Sequence, residues 1–160
     1  MSKSKVYIES SVISYLTARA SRDVVVAGHQ QITREWWDND KGQFDLFISS
    51  SVIREVGGGD PEAAQERLRV IAGFQVLTVG QETGRCVQAL LSGGALPAKA
   101  AEDALHIVLA ATNGMDYLLT WNCKHIANAT MRKTIERILR ELGLQSPVIC
   151  TPDELRGATP

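Results

Sequence analysis

Short apolar runs alternate with longer segments of helical spacing along the chain, and no other sequence feature limits the fold as strongly. Five runs are apolar or β-branched and too short for helices, so they predict buried strands. They lie at 6–8, 44–48, 75–79, 116–120 and 148–150. Strands that alternate with helices form parallel sheets with right-handed crossovers. We therefore expect an α/β fold with a parallel sheet.

Residues typical of helix ends mark the segments between these strands. We predict a helix over 21–38 with Ser21 as its N-cap, and a second helix from Asp60, where proline takes the first helical position. Two more helices are predicted over 97–112 and 130–142. Each predicted helix lies between two predicted strands, as the connections of a parallel sheet require.

Composition and length limit the class of protein. The 160 residues carry a net charge of −1, which excludes a protein that coats nucleic acid by bulk positive charge. Because no linker or repeat interrupts the chain, we expect one domain over 1–155 and a disordered tail at 156–160. The start lacks an apolar leader, and no apolar run reaches the roughly 18 residues that a membrane span needs. Three unpaired cysteines, predicted to be buried apolar residues, complete a pattern that predicts a cytoplasmic protein.

Acidic and amide side chains come soon after several predicted strands. Glu9 follows the first strand, Glu55 lies about one helical turn beyond the second, and Asn122 follows the fourth. Asp103 is near the start of a predicted helix. Ligands of open parallel sheets bind beyond the carboxyl ends of the strands. We therefore expect these four side chains to converge at one edge of the sheet.

Asp103 is the most informative of the four, because nearly all of its neighbours over 100–111 are apolar. A helix of this composition is largely buried, and an unpaired buried carboxylate costs several kcal/mol, roughly, or becomes protonated. A divalent cation compensates such a charge through oxygen ligands. The alternative is that these carboxylates only cap helices or face helix dipoles, and spacing alone leaves both interpretations open.

Four segments contain these residues: YIESSVISYL at 7–16, ISSSVIRE at 48–55, DALHI at 103–107 and DYLLTWNCKHIAN at 116–128. In order and separation they resemble the PIN-domain nucleases, and within that family the VapC-type toxins of toxin–antitoxin pairs. The last two segments are the more specific. The resemblance covers about residues 5–128, which is most of the chain.

The resemblance implies a three-layer α/β/α sandwich with a central, mainly parallel five-stranded sheet, and a ribonuclease site that uses Mg²⁺ or Mn²⁺. The family's three acidic metal positions match Glu9, Glu55 and Asp103, and its fourth position matches Asn122. The first position is usually Asp and the fourth is often acidic, so this chain departs from the family twice. By this resemblance, the carboxylates hold the metal and a metal-activated water attacks a phosphorus of single-stranded RNA.

The resemblance also implies a cognate antitoxin and a homodimer. Two other classes of function stay open. One is a PIN-like module that binds RNA or protein without cutting, which the departures at Glu9 and Asn122 favour. The other is an α/β phosphohydrolase with an aspartate nucleophile after the first strand, and the glutamate at that position argues against it.

Four residues of a basic stretch are candidates for contact with RNA phosphates: Lys124, His125, Arg132 and Lys133. The alternative is a solvated helix face, with His125 in a capping or packing role.

Other residues have structural interpretations. His106, three residues after Asp103, either orients a carboxylate or is a hydrogen-bonded interior histidine, and we favour the second. Trp36 and Trp37 are predicted to belong to the core or a subunit contact rather than to stack on bases. Asp116, at the start of a strand, is predicted to be structural.

Overall fold

The computed structural model describes residues 2–157. Its strands are β1 (Ser4–Ile8), β2 (Phe44–Ile48), β3 (Gln75–Val76), β4 (Tyr117–Leu119) and β5 (Val148–Cys150). They form one parallel sheet in the order β3-β2-β1-β4-β5. Seven helices flank the sheet within the same range. The predicted three-layer α/β/α architecture with a five-stranded parallel sheet is confirmed.

The central strand β1 is bonded to β2 on one side and to β4 on the other. Its residues 6–8 are 0 % exposed, because helices cover both faces of the sheet, and this explains the unbroken apolar run in the sequence. The carboxyl ends of β1 and β4 lie side by side, and the Glu9 amide donates to the Leu119 carbonyl at 3.0 Å. Residues that follow these two strands are therefore neighbours in space.

The helices form two groups of neighbours. The seven helices within the described residues are α1 (Ser10–Thr17), α2 (Val24–Asn39), α3 (Ser50–Val56), α4 (Pro61–Ile71), α5 (Thr83–Ser92), α6 (Ala101–Thr112) and α7 (Ala129–Glu141). Helix α1 contacts α2, α3 and α4, whereas α5 contacts α6 and α7. None of the helices within residues 2–157 is both long enough and apolar enough to cross a membrane.

Helix α2 begins at Val24, three residues later than predicted from Ser21. The reason is a stronger cap: the Asp23 carboxylate accepts from the amides of Val25 and Val26 at 2.9 and 3.0 Å. A charged oxygen that satisfies two free amides outcompetes a neutral hydroxyl. The Ser21 hydroxyl instead accepts from the Asp23 amide and shapes the turn before the helix.

Helix α6 begins at Ala101 and not at Pro97 as predicted. The Pro97 carbonyl accepts from the Ala100 amide at 2.9 Å, which closes a separate turn in front of the helix. The difference places Asp103 in the first turn of α6, at the end of a helix whose later residues are buried.

Helix α5 was not predicted. Its buried face carries Cys86, Val87 and Leu90, and this spacing is the only signal that the sequence offers. The carboxylate of its N-cap residue, Glu82, accepts no backbone amide of the helix and pairs instead with the Arg85 side chain, so no capping pattern marks the start of α5.

Two strands are shorter than predicted. Pairing in β3 ends at Val76 and pairing in β4 ends at Leu119. One further ladder bond follows each of them, from the Leu77 amide to Ile48 and from the Thr120 amide to Cys150. Strand β1 differs in the opposite sense, since it begins at Ser4, two residues before the predicted run, and ends at Ile8 as predicted.

Several structural interpretations are resolved by burial and contacts. Trp36 is 0 % exposed and donates its indole N–H to the Leu155 carbonyl at 2.9 Å, as expected for a core residue. Asp116 accepts from the Lys5 amide at 2.7 Å, which ties two neighbouring strands. The prediction of three buried cysteines is wrong for Cys123, which is exposed in the turn after Asn122.

The first two residues of the predicted tail contact the domain. Arg156 forms an ion pair with Glu35 at 3.2 Å, and the Gly157 amide donates to Asp40 at 3.0 Å. The remaining tail residues, 158–160, lie outside the described part of the chain.

Candidate metal centre

Glu9 follows β1 and is the N-cap of α1. Glu9 is 5 % exposed, and its carboxylate has three donors. Oε1 accepts from the hydroxyls of Ser11 and Thr120, both at 2.5 Å, and Oε2 accepts from the Ser11 amide at 3.1 Å. These donors hold a charged carboxylate at the carboxyl edge of the sheet.

Glu55 and His106 come from different helices and meet beside Glu9. Glu55 is in the last turn of α3, and its Oε1 lies 2.6 Å from Nε2 of His106, a residue of α6. One oxygen of Glu9, one oxygen of Glu55 and one ring nitrogen of His106 all lie within 4.8 Å of one another. We call these three residues the Glu–Glu–His cluster. The cluster can hold a metal ion.

A buried hydrogen-bonded chain positions His106. Its Nδ1 lies 2.6 Å from the Tyr7 hydroxyl, which lies 2.7 Å from the Ser49 hydroxyl. Ser49 also accepts from the Val52 amide at 3.2 Å. Because an ionised carboxylate only accepts hydrogen bonds, the proton between His106 and Glu55 belongs to Nε2. The chain from Ser49 through Tyr7 therefore directs the N–H of His106 at Glu55.

The charges of the cluster set the protonation of its members. Burial opposes protonation of His106, but the hydrogen bond and charge of Glu55, with the charges of Glu9 and Asp103, outweigh it and raise its pKa. Burial likewise opposes ionisation of Glu55, but the hydrogen bond and charge of His106 outweigh it and lower the pKa of the carboxyl. Burial raises the pKa of Tyr7, so the phenol stays neutral. These shifts favour an ion pair between Glu55 and His106.

This pair predicts a pH window of stability for the metal-free protein. The His106 contribution is complete below the ordinary pKa of 6.5 and is lost as pH rises through the raised pKa of the folded state. The Glu55 contribution is present above the ordinary 4.5 and is lost as pH falls through the lowered pKa. We expect the difference in unfolding free energy between wild type and His106→Gln, measured with urea, to shrink from about pH 5.5 to about pH 9. A difference that is constant over this range would contradict the ion pair.

Asp103 belongs to a second, adjacent group. Its Oδ1 accepts from the Asn122 side-chain amide at 3.0 Å, and its Oδ2 lies 2.9 Å from Nδ1 of His125. The Asn122 side-chain oxygen, Oδ1, accepts from the His125 backbone amide at 3.0 Å. The Asn122 backbone amide donates to Thr120 Oγ1 at 2.9 Å, and the same hydroxyl donates to Glu9. The Asp103 group is thus linked to the Glu–Glu–His cluster through one threonine.

Hydrogen bonds through Thr120 connect three of the four sequence-predicted site residues, Glu9, Asp103 and Asn122, whereas Glu55 lies near Glu9 without bonding to it. Glu9 and Glu55 share the cluster, whereas Asp103 and Asn122 lie in the neighbouring group. Asp103 is less buried than the apolar composition of its helix predicts, since its side chain is 24 % exposed, whereas Glu9 is 5 % exposed. Asp103 is in the first turn of α6, at the end of the helix that is open to solvent. Glu9 directly follows the central strand, where the chain is covered on both sides.

Sequence reasoning missed the roles of Tyr7, Ser11 and Thr120. Ser11 and Thr120 adjoin the motif residues in the chain, so their hydroxyls were available as a signal. The Tyr7 contact joins residues 99 positions apart in the chain, and no local pattern indicates it. For His106 both interpretations hold in part, because it is an interior histidine and it also contacts a carboxylate.

The predicted basic residues differ in availability. Lys124 and Lys133 are exposed. Arg132 donates from its guanidinium to the Ile149 carbonyl at 3.3 Å, so it is partly engaged with β5. His125 contacts Asp103 through Nδ1, which leaves its Nε2 without a partner among residues 2–157.

The donor set fits a divalent cation. Carboxylate oxygens suit Mg²⁺ and Mn²⁺, and an imidazole nitrogen suits Mn²⁺ better than Mg²⁺. The Ser10 hydroxyl is buried close to Glu55, where it lowers the pKa of that carboxyl, but no partner among the described residues lies in position for a well-aligned hydrogen bond. Buried polar atoms without partners are rare, and a bound ion or water accounts for them.

No model of a known protein family matches the chain, and no curated protein matches it.

Proposed function

We propose that the protein is a Mg²⁺- or Mn²⁺-dependent endoribonuclease of the PIN type and the toxin of a toxin–antitoxin pair. The observation that supports this most is the Glu9–Glu55 pair, whose oxygens approach within 4.8 Å where β1 ends. Two carboxylates so close repel each other unless a positive charge lies beside them. The sequence resemblance adds RNA as the substrate class.

In this proposal Glu9 and Glu55 hold the cation through carboxylate oxygens. His106 acts as the outer partner that orients Glu55, because its Nε2 carries the proton of their hydrogen bond. When bound, the cation polarises the phosphate and lowers the pKa of the attacking water.

The Asp103 group lies next to the cation site, where it can contact water and RNA. After accepting from Asn122 and His125, each Asp103 oxygen keeps a lone pair for a water or the cation. Because the proton of His125 lies on Nδ1 toward Asp103, its Nε2 can accept a hydrogen bond from a water or an RNA hydroxyl. Both ends of the Asn122 side-chain amide are engaged within the group, so we assign Asn122 the positioning of Asp103.

An exposed lysine adjoins the Asp103 group. Lys124 is exposed in the turn that also carries Asn122 and His125, so its charge can attract RNA phosphates toward the site. A cognate antitoxin, a homodimer and a cytoplasmic location follow from the sequence reasoning and the resemblance.

A second candidate is a module that binds RNA or a protein without cutting. The observation that favours it is the ion pair of His106 with Glu55, because a protonated imidazole compensates the carboxylates without any cation. Under this alternative the cluster is a structural feature of the core.

A metal titration separates the two candidates. The metal-free protein is incubated with a labelled pool of short random-sequence RNA, and MgCl₂ or MnCl₂ is added before excess EDTA. We expect saturable cleavage that EDTA stops and that Asp103→Asn lacks, while circular dichroism shows that the variant is folded. RNA that stays bound and uncut at saturating Mn²⁺ supports the binding module, and cleavage that persists in EDTA contradicts the metal mechanism.

A further inference from the structure

Three aromatic rings lie against one another beside Glu9. His29 of α2 lies over Trp121, with ring centroids 4.0 Å apart and planes inclined by 12°. Tyr15 of α1 lies 6.2 Å from each of these rings, at 21° to His29 and 22° to Trp121. The rings of Tyr15, His29 and Trp121, which we call the aromatic stack, therefore share nearly one orientation.

The aromatic stack is continuous with the candidate metal centre. The Ser11 hydroxyl accepts from the Trp121 amide at 2.8 Å and donates to the Glu9 carboxylate. Tyr15 follows Ser11 by four residues on α1, so it lies on the same helix face about 6 Å further along the axis. An RNA strand with one phosphate at Glu9 therefore passes Tyr15 of the aromatic stack about one helical turn further along α1.

Two of the three rings have polar atoms that form no hydrogen bond within residues 2–157. Trp121 is 9 % exposed and its indole N–H donates to Thr33 at 2.7 Å, so its polar atom is satisfied within the protein. Tyr15 and His29 are partly exposed, and neither the Tyr15 hydroxyl nor the His29 ring nitrogens bond to any group among residues 2–157. Polar atoms of packed aromatic rings usually have partners, so these ring edges are available to a ligand.

We propose that the aromatic stack binds a nucleobase of a single-stranded RNA next to the phosphate that a cation at the Glu9–Glu55 pair would hold. This inference rests on the proposed ribonuclease function and adds how that site grips its substrate. Every base has a face that stacks on aromatic rings, and the free edges of Tyr15 and His29 can hydrogen-bond to base edges. With a net charge of −1, the protein needs a source of RNA affinity other than bulk positive charge.

Binding of short RNA to the full-length protein tests the stack. Fluorescence anisotropy is measured with CaCl₂ in place of MgCl₂ or MnCl₂, so that a cation is present at the site, with a labelled single-stranded RNA and wild type, Tyr15→Leu and Tyr15→Phe, and gel electrophoresis of the same samples checks that the strand is intact. We expect Tyr15→Leu to bind at least about fivefold more weakly, and the matched Tyr15→Phe, which keeps the ring but lacks the hydroxyl, to bind with an affinity between those of Tyr15→Leu and wild type. Wild type itself is expected to bind a strand of abasic sugars similarly weakly, and this arm requires no variant to fold.

The outcomes separate this inference from the ribonuclease proposal. Equal affinity of Tyr15→Leu and wild type, or equal affinity of wild type for intact and abasic strands, overturns the stack even if wild type cleaves RNA with Mn²⁺. Loss of affinity in Tyr15→Leu with no cleavage by wild type at saturating Mn²⁺ supports the stack and overturns the nuclease. Absence of RNA binding by wild type overturns the inference as well.

Discussion

Replacing Glu9 with Gln is expected to abolish the rise in melting temperature that Mg²⁺ gives the wild-type protein, and to lower RNA cleavage about 100-fold or more. Glu9 is one of the two carboxylates whose oxygens lie within 4.8 Å. A neutral amide in its place removes one of the two negative charges that hold the cation, while the size and shape of the side chain stay the same.

The size of the rise in melting temperature expected for the wild-type protein follows from the linkage between cation binding and folding. A ligand at 100 times its Kd stabilises the folded state by about 2.7 kcal/mol. For a domain of this length each kcal/mol raises the melting temperature by about 2–4 °C, so the expected rise is about 5–10 °C. A thermal melt over a series of MgCl₂ and MnCl₂ concentrations measures it for wild type and variant.

The variant is expected to fold. The Gln carbonyl oxygen can still accept from the hydroxyls of Ser11 and Thr120, as Oε1 of Glu9 does, whereas the bond from the Ser11 amide is lost, at about 1 kcal/mol. Glu136→Gln is the matched control, because Glu136 is exposed on α7. If Glu9→Gln and Glu136→Gln show the same Mg²⁺-dependent rise as wild type, Glu9 does not hold the cation.

The sheet could be predicted because its strands are buried on both faces. Such strands need apolar residues at successive positions, and β1 shows this in the full burial of Val6, Tyr7 and Ile8. Helix α5 could not be predicted in the same way, since Glu82 gives no side-chain cap and the buried face is short. The start of α2 was misplaced because Ser21 and Asp23 are both capping residues, and only the geometry shows which of them bonds to the helix.

The candidate site could be predicted in part. Parallel strands bring their carboxyl ends to one edge, so residues that follow β1 and β4 were expected to meet, and Glu9 does bond to Thr120. Apolar composition showed that α6 is buried but not which of its turns is open, so Asp103 was expected to be more buried than it is. The contact of His106 with Glu55 joins residues 51 positions apart, and it depends on how two helices pack.

Replacing His106 with Leu is expected to lower the free energy of unfolding of the metal-free protein by about 3 kcal/mol, near the low end for removing one partner of a buried pair. His106 is 1 % exposed and contacts both Glu55 and Tyr7 at 2.6 Å. Leu leaves the carboxylates of Glu9 and Glu55 without their nearest positive charge. The loss is at the low end because Glu55 is 35 % exposed and can turn toward water.

Two matched variants show whether the contacts of His106 or its bulk cause the loss. His106→Gln can keep an N–H donor toward Glu55, so it is expected to be destabilised less than His106→Leu. His29→Leu also replaces a histidine, but one that stacks on Trp121 and Tyr15 and contacts no carboxylate, and is expected to lose about 1 kcal/mol. Urea unfolding at about pH 6 in EDTA gives all three values. If His106→Leu is within about 1 kcal/mol of wild type, the positive charge of His106 does not hold the two carboxylates together.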